Sequence, residues 1–289
     1  MSSIQIVTDS TADVSREQAE KYGIRVVPLT VSFGDKLYTD GVDITPMQFY
    51  EKLATEIEMP KTSQPSPEAF RLAYNEIAGQ GDTILSIHVS GRLSGTLNSA
   101  KTAAEQAIAK VITIDTLNAS QGVGRSVLIA AEALKRGMPL EEVLAITNLS
   151  IANTFSVFAV DTLEFLQRNG RIGKAASLLG SLLQLKPILY ADEEGMVGVY
   201  DKVRGRSKVV RCLVEAALKK VSPESPVNLS VVHVNAEERA NLLLDALKEH
   251  YVIADLHLGP VGPGIGSHIG PGAISLMIQP SFETLQSML

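Results

Sequence analysis

The sequence of 289 residues contains no tryptophan and a single cysteine, Cys212. One thiol cannot form a disulfide within the chain, so the fold does not depend on a disulfide framework, and a reducing, cytoplasmic location is expected. Cys212 lies in the apolar helical run of residues 209–218, where a buried and unreactive thiol is the usual outcome.

Long apolar stretches are also missing from the sequence. The most apolar window, residues 175–185, is followed by Lys186 and Pro187, and it is too short to span a bilayer. The strand-like run that begins at Ile4 is not preceded by a basic segment and an apolar segment, so no secretory signal is expected. The sequence therefore predicts a protein with no stable insertion in a membrane.

Positive charge is outweighed by negative charge. Lysine and arginine number 26 against 32 aspartates and glutamates, for a net charge of -6. Because no long basic stripe is present, nucleic acid is not an expected partner. The short basic cluster of residues 202–208 (KVRGRSK), which includes Arg204 and Arg206, is either a solvated turn or a docking patch for an acidic partner.

Sequence motifs for metals and nucleotides are absent as well. The five histidines are scattered, without a His-x-x-x-His pair, so no metal site is predicted. The glycine-rich segment 259–272 contains no G-x-G-x-x-G that opens a helical pattern, and residues 170–174 (GRIGK) lack the rest of a phosphate-binding loop. We therefore predict no cofactor.

What the first half does contain is an alternation of short apolar runs and helical patterns. The strand-like runs are residues 4–7, 25–31, 83–89 and 111–114, and the helical patterns are residues 15–22, 45–57, 66–78, 94–109, 119–135 and 140–153. This alternation predicts an N-terminal three-layer α/β domain with a mostly parallel sheet.

The pattern changes near residues 155–160. Residues 186–190 and 196–200 flank an acidic turn and predict an antiparallel hairpin. Helical patterns at residues 163–167, 175–183, 207–220 and 237–248 and strand-like runs at residues 229–234, 252–258 and 273–278 complete the half. We predict a C-terminal α+β domain with a mixed sheet, and we divide the chain into residues 1–158 and 159–289.

Two hydroxyl-rich segments stand out, residues 61–67 (KTSQPSP) and residues 90–96 (SGRLSGT). Each precedes a helical pattern, where unpaired backbone N–H groups and the helix dipole favour an anion. Taken alone, each segment is better explained by simple helix capping, with Ser66 and Ser94 as the caps. Residues 90–96 also follow a predicted strand of the parallel sheet, where ligands commonly bind, and this favours a functional role for Ser94.

Two further side chains are candidates for an anion site, and an enzyme remains an alternative. His268 lies among glycines and either bridges backbone groups or donates to an oxyanion. Arg171 is either a surface charge or a fork that holds an acid. A serine hydrolase would use Ser94 as nucleophile and His268 as base, with Asp9 or Asp115 to orient the base. Residues 91–95, however, do not form G-x-S-x-G. A binding protein for a small phosphorylated metabolite is the third possibility.

Several stretches, in order along nearly the whole chain, resemble the DegV family of bacterial fatty-acid-binding proteins. They are residues 6–11 (IVTDST), 27–31 (VPLTV), 40–43 (DGVD), 62–66 (TSQPS), 93–96 (LSGT), 170–172 (GRI) and 268–272 (HIGPG). Any one of these motifs is weak, but the ordered set is specific.

The resemblance implies two α/β domains with one long-chain fatty acid buried between them, and no catalysis by the chain itself. It implies that Thr62 and Ser94 bind the carboxylate, with His268 and Arg171 in the same network. The acid would be presented to an ATP-dependent fatty acid kinase, and the acyl phosphate would pass to an acyltransferase of phospholipid synthesis. Arg204 and Arg206 become candidates for docking the kinase. Five leucines, at positions 178, 179, 182, 183 and 185, are either tunnel lining or ordinary core.

Overall fold

The computed structural model describes residues 3–180 and 185–289. The strands are β1 Ile4–Asp9, β2 Ile24–Val27, β3 Thr30–Phe33, β4 Lys36–Thr39, β5 Lys61–Ser63, β6 Thr83–His88, β7 Lys110–Asp115, β8 Phe155–Ala159, β9 Leu185–Ala191, β10 Val197–Arg204, β11 Val227–His233, β12 Ile253–Pro260 and β13 Ile274–Pro280. The α-helices are α1 Arg16–Tyr22, α2 Pro46–Thr55, α3 Pro67–Ile77, α4 Thr96–Ala104, α5 Gln121–Lys135, α6 Leu140–Asn153, α7 Glu164–Arg168, α8 Ser207–Lys220, α9 Glu237–Lys248, α10 Pro263–Ile269 and α11 Phe282–Gln286.

The N-terminal half is built around a parallel sheet with the strand order β2-β1-β6-β7. Its strands carry apolar residues on both faces, because one side packs against α3 and α4 and the other against α5 and α6. Val7, Ile84 and Leu85 are fully buried as a result. Burial on both faces is what continuous apolar strands require, and the prediction of a three-layer α/β unit is confirmed.

A small antiparallel sheet, β4-β3-β5, was not predicted. Residues 25–31 were predicted as one strand, and this was wrong, because the chain leaves the parallel sheet at Pro28 and Leu29 and starts β3 at Thr30. Proline cannot donate the backbone hydrogen bond that a continued central strand needs. The small sheet packs on the C-terminal half, where Val31 and Phe33 share a buried cluster with Leu189 and Val232.

The C-terminal half contains a mixed sheet in the order β10-β9-β8-β13-β11-β12, in which only β11 and β12 run parallel among the described pairs. The mixed sheet and the β9–β10 hairpin confirm the predicted architecture. Helices α8 and α9 cover one face, and the other faces the N-terminal half. The predicted division between residues 158 and 159 falls inside β8, whose residues pair in this sheet, and the division itself stays a prediction.

Two local predictions in this half were wrong. Residues 175–183 were predicted as helical. The chain instead forms a short 3-10 helix, Gly173–Leu178, and Gly180 adopts a φ of 86°, which is incompatible with a right-handed helix. Residues 181–183 of that prediction lie outside the described residues. Conversely, α10 lies inside the glycine-rich segment in which no helix was predicted. Pro263 at its first position is favourable there, since that residue needs no N–H partner.

Two carboxylates of the N-terminal half, the partly buried Asp13 and the buried Asp40, hold the start of α10. The Gly262 N–H donates to Asp13 Oδ1 at 2.9 Å, and the Gly264 N–H donates to Asp40 Oδ2 at 3.2 Å. Hydroxyl groups of Ser120 and Ser10 donate to the same two carboxylates. These bonds fix α10 against the N-terminal half, and α10 carries His268.

Removal of the Asp13 charge should change the pH dependence of stability. Burial raises the pKa of Asp13 from 3.8 to about 7, and burial also raises the pKa of Asp40 to about 6. The unfolded chain therefore loses these protons at lower pH than the folded chain, so the free energy of unfolding declines as pH rises from about 4 to about 7. In Asp13→Asn we expect that decline to shrink by on the order of 2 kcal/mol, measured by urea unfolding at a series of pH values.

Asp35→Asn is the matched control for this measurement, because Asp35 is exposed in the turn between β3 and β4. It should leave the pH profile as it is in the unmodified protein. An Asp13→Asn profile that superimposes on that of the unmodified protein would show that the carboxylate at residue 13 ionises normally in the folded state.

Candidate functional site

A cavity lies between the loops at the carboxyl ends of the N-terminal strands and the open face of the six-stranded sheet. The space between its lining atoms is about 890 Å³, counting the part that opens to solvent. The wall includes apolar side chains from both halves, among them Leu29, Val89, Phe158, Val232 and Ile265. Among the described residues, no aspartate or glutamate lines it.

Thr62, Ser94, Arg171 and His268 all line this cavity. They come from four places in the sequence: a short strand, a strand-to-helix loop, the loop after α7, and α10. The structure therefore brings together the four residues that the sequence and the resemblance singled out. Their role in holding a carboxylate remains a prediction.

Thr62 is positioned by the small sheet. It pairs with Val31 across β3 and β5, and because side chains alternate along a strand, its neighbours Lys61 and Ser63 point away from the face that Thr62 occupies. The Thr62 hydroxyl lies 2.8 Å from His268 Nε2. This hydrogen bond connects β5 to α10.

His268 is neutral at physiological pH. Burial, helped by the positive charge of Arg171, lowers the pKa of its imidazole to about 4. A neutral imidazole carries one N–H, and the Thr62 hydroxyl carries another hydrogen. One of these two hydrogens is used between the two side chains, so the pair retains one donor for a ligand. His268 Nδ1 is buried and has no hydrogen-bond partner in the described part of the chain.

Ser94 lies just before α4 but does not cap it in the usual way. Gly95 is the residue that immediately precedes the helix, and it has no side chain with which to cap that end. Ser94 Oγ lies 2.8 Å from Thr96 Oγ1 and accepts from the Thr96 N–H at 3.3 Å. With Thr96 as the donor, the hydrogen of the Ser94 hydroxyl is available to a ligand. Ser66, in contrast, caps α3 by accepting from the Ala69 N–H, so the capping interpretation is confirmed for that serine.

Gln64 and Gly95 connect the two hydroxyl-rich segments, and sequence reasoning missed both. Gln64 packs directly over Gly95, so that a Cβ at residue 95 would overlap the amide of Gln64. The Gln64 amide also donates to Ser99 Oγ at 3.2 Å. A glycine followed by a helix was the available signal, but only the tertiary structure identifies what comes close to it.

The Arg171 side chain lies in the cavity wall and binds the backbone beside Ser94. Its Nε donates to Leu93 O at 3.1 Å and its Nη1 donates to Asn169 O at 2.6 Å. Asn169 in turn donates to Ser267 O at 3.0 Å, next to His268. Across the described ranges, no carboxylate forms an ion pair with Arg171. The guanidinium therefore leaves an uncompensated positive charge in the cavity wall.

The serine hydrolase alternative requires an aspartate that orients His268, and neither candidate does so. Neither Asp9 nor Asp115 orients His268, because Asp9 accepts from His88 and Asp115 accepts from the backbone of residues 91 and 117. A hydrogen-bonded Ser-His-Asp triplet does exist elsewhere: Ser86 Oγ is 2.6 Å from His88 Nε2, and His88 Nδ1 is 2.8 Å from Asp9 Oδ2. All three side chains are fully buried, so this triplet is part of the core.

The other predicted residues lie outside the cavity wall. Arg204 and Arg206 are exposed, and Arg206 pairs with Asp161 at 2.9 Å. Leu178 is buried in a core cluster and Leu179 is 42% exposed, and neither they nor Leu185 line the cavity. Leu182 and Leu183 lie outside the described residues. The suggestion that this leucine run lines a tunnel is therefore wrong for the three described positions.

Residues 3–180 and 185–289 contain neither a metal-binding cluster nor a helix that could span a membrane. No group of three or more histidine, cysteine, aspartate or glutamate side chains is placed to hold a metal ion. None of the helices there is both long enough and apolar enough to cross a membrane.

Comparison with known proteins gives consistent matches. The family model described as "Uncharacterised protein, DegV family" matches residues 3–281. A DegV domain-containing protein of Streptomyces coelicolor is 38% identical over 95% of this chain and 98% of its own length. The structure of a DegV family protein from Thermus thermophilus, described as binding fatty acid, matches with a TM-score of 0.90 and 36% identity over 96% of this chain and all of that one.

DegV from Bacillus subtilis, described as a fatty acid binding protein, matches with a TM-score of 0.89 and 31% identity, over 97% of this chain and 100% of that chain. The fold, the order of the motifs and these matches lead to one conclusion. The chain belongs to the DegV family.

Proposed function

We propose that this protein binds one long-chain fatty acid in the cavity between its two halves and does not itself catalyse a reaction on it. The observation that carries the proposal is the convergence of Thr62, Ser94, His268 and the unpaired Arg171 on one cavity without an acidic residue in its described wall. Such a wall favours an anion. The fatty acid binding described for the related Thermus thermophilus and Bacillus subtilis proteins supports a carboxylate as that anion.

The head group and the tail make different contributions on this proposal. A carboxylate removed from water is costly unless several donors satisfy it, and the Thr62–His268 pair, Ser94 and Arg171 provide them. Each methylene removed from water contributes about 0.8 kcal/mol. About a dozen methylenes therefore outweigh the several kcal/mol that association costs. The tail sets the affinity, and the donors select an acid over an alcohol or an ester.

The bound acid is then presented to a separate ATP-dependent fatty acid kinase. Thr62, Ser94 and Arg171 are only half-buried, which supports a carboxylate near the mouth of the cavity, where a kinase can transfer a phosphoryl group to its oxygen. The products are acyl phosphate and ADP, and the acyl phosphate passes to an acyltransferase of phospholipid synthesis. ATP and its magnesium belong to the kinase.

Arg204 and Arg206 are the proposed contacts with that kinase. Arg206 pairs with Asp161, whose carboxylate lies against Gly272, four residues after His268. This proximity supports a docking surface on the side of the C-terminal half that carries the proposed head-group site, and the charge of the basic cluster suits an acidic partner surface.

Native mass spectrometry of protein purified from a bacterial host tests the function directly. We expect one co-purifying long-chain fatty acid per chain, released on denaturation, because the buried tail makes dissociation slow. Lipid-free protein whose Ser94 reacts with a fluorophosphonate would instead establish the hydrolase. Lipid-free protein that is stabilised against heat by inorganic phosphate would point to a phosphorylated metabolite.

Substitution of the two hydroxyl donors should weaken binding. We expect Thr62→Ala and Ser94→Ala each to reduce fatty acid affinity by roughly 1–3 kcal/mol, the cost of leaving a buried polar group unsatisfied. The measurement is isothermal titration of delipidated protein with a long-chain acid. Phosphorylation of the bound acid by the kinase should decline in parallel.

Ser66→Ala is the matched control, since Ser66 lies in the same segment as Thr62 but caps α3 and does not line the cavity. It should lose about 1 kcal/mol of stability and bind the acid as the unmodified protein does. Unchanged affinity in the double variant of Thr62 and Ser94 would remove both hydroxyls from the head-group site.

A separate substitution tests the docking surface. Arg204→Ala should retain the fatty acid but be phosphorylated less efficiently by the kinase, because Arg204 lies outside the cavity and only the encounter is affected. Arg211→Ala, which removes an exposed arginine that pairs with Glu215 on α8, is the control and should support phosphorylation at the normal rate. Equal rates for the two variants would exclude Arg204 from the contact.

A further inference from the structure

The wall of the cavity formed by the six-stranded sheet carries polar groups that the proposed head-group site does not use. Strands β8 and β13 are antiparallel neighbours, with Ser156 opposite Met277 and Phe158 opposite Ser275. All four side chains line the cavity. Two serine hydroxyls are therefore present in a wall that would contact the tail of a bound acid.

Ser156 lies farther than Ser275 from the end of β13 that follows α10 and His268. The loop that follows His268 leads into β13 at Ile274. Along β13, Ser275 is therefore nearer to His268, and Met277, which pairs with Ser156, lies two residues farther on. Two residues of strand correspond to about 7 Å. Ser156 consequently faces a part of the tail that is separated from the carboxylate by several methylenes.

The hydroxyl of Ser156 has no hydrogen-bond partner among the described residues, although the residue is only 5% exposed. The large majority of buried hydroxyl groups in proteins have one. Ser275 differs, because its hydroxyl reaches Val157 O at 3.4 Å and Met277 Sδ at 3.5 Å. The residue opposite Ser156 is Met277, whose thioether is at best a weak acceptor.

An unsubstituted acyl chain packed against Ser156 would leave that hydroxyl unsatisfied, whereas an oxygen atom on the chain at the same depth would pair with it. We infer that the cavity prefers a long-chain fatty acid that carries a hydroxyl group part-way along its chain, and that Ser156 is the specificity-determining residue. The inference rests on the proposed function, since it concerns the tail of the same ligand. Ser156 is fixed on a central strand of the sheet, so the hydroxyl group of the ligand must lie at one particular carbon of the acyl chain to reach it.

Competition between acids tests this inference. Delipidated protein is mixed with equal amounts of stearic acid and one isomer from a positional series of hydroxystearic acids, and native mass spectrometry gives the ratio of the two complexes. The expected result is a preference of roughly tenfold for one isomer, the ratio that about 1.4 kcal/mol produces. Isomers with the hydroxyl elsewhere should bind less well than stearic acid.

Ser156→Ala should abolish the preference for that isomer and bind stearic acid at least as well as the unmodified protein. Its melting temperature should equal or exceed that of the unmodified protein, because the substitution removes an unsatisfied buried group. Ser275→Ala is the matched control: it removes the same atom from the same wall, but from a hydroxyl that already has acceptors, and it should keep the preference.

Two results would overturn the inference while leaving fatty acid binding intact. One is that stearic acid is favoured over every hydroxylated isomer, as expected if a trapped water molecule satisfies Ser156. The other is that the preference persists in Ser156→Ala. Failure of stearic acid and of all its isomers to bind would instead overturn the proposed function, and the inference with it.

Discussion

The hydrogen bond between Thr62 and His268 is the interaction on which the rest of the site depends. It joins a three-residue strand of the N-terminal half to a helix of the C-terminal half, over a separation of 206 residues. It forms only when the halves have one fixed arrangement, and Asp13 and Asp40 provide that arrangement by accepting from the backbone at the start of α10. Removing those carboxylates from water is unfavourable, but their hydrogen bonds to the start of α10 hold His268 in place.

The site supplies hydrogen-bond donors and positive charge without acquiring an acid of its own. His268 stays neutral because it is buried near Arg171, so the positive charge resides on the guanidinium. Arg171 also binds the carbonyl of Leu93, which fixes the backbone next to Ser94. One side chain thus contributes the positive charge of the cavity wall and fixes the backbone beside one of its hydroxyls. An arrangement of this kind is suited to holding an acid and lacks the oriented base that a serine nucleophile requires.

Much of the fold was predictable because its strands and helices follow simple periodicities. The strands of the parallel sheet are continuous apolar runs covered on both faces, and the β9–β10 hairpin flanks an obvious acidic turn. The small sheet was missed because β3, β4 and β5 have only three or four residues each, too few for a period to be recognised. Helix α10 was missed because glycine and proline are read as breakers, and its helical geometry depends on the carboxylates that hold its first turn.

The class of fold, the family resemblance and the four candidate side chains for an anion site could all be read from the sequence, since they follow from local periodicity and from motifs that are contiguous in the chain. Which side chains lie next to one another could be seen only in the folded structure. It separated Ser66, a helix cap, from Thr62 four residues earlier, and it placed Gln64 against Gly95. It also showed a buried hydroxyl without a partner at Ser156. These facts depend on distances between segments far apart in sequence, and such distances are set by packing across the whole molecule.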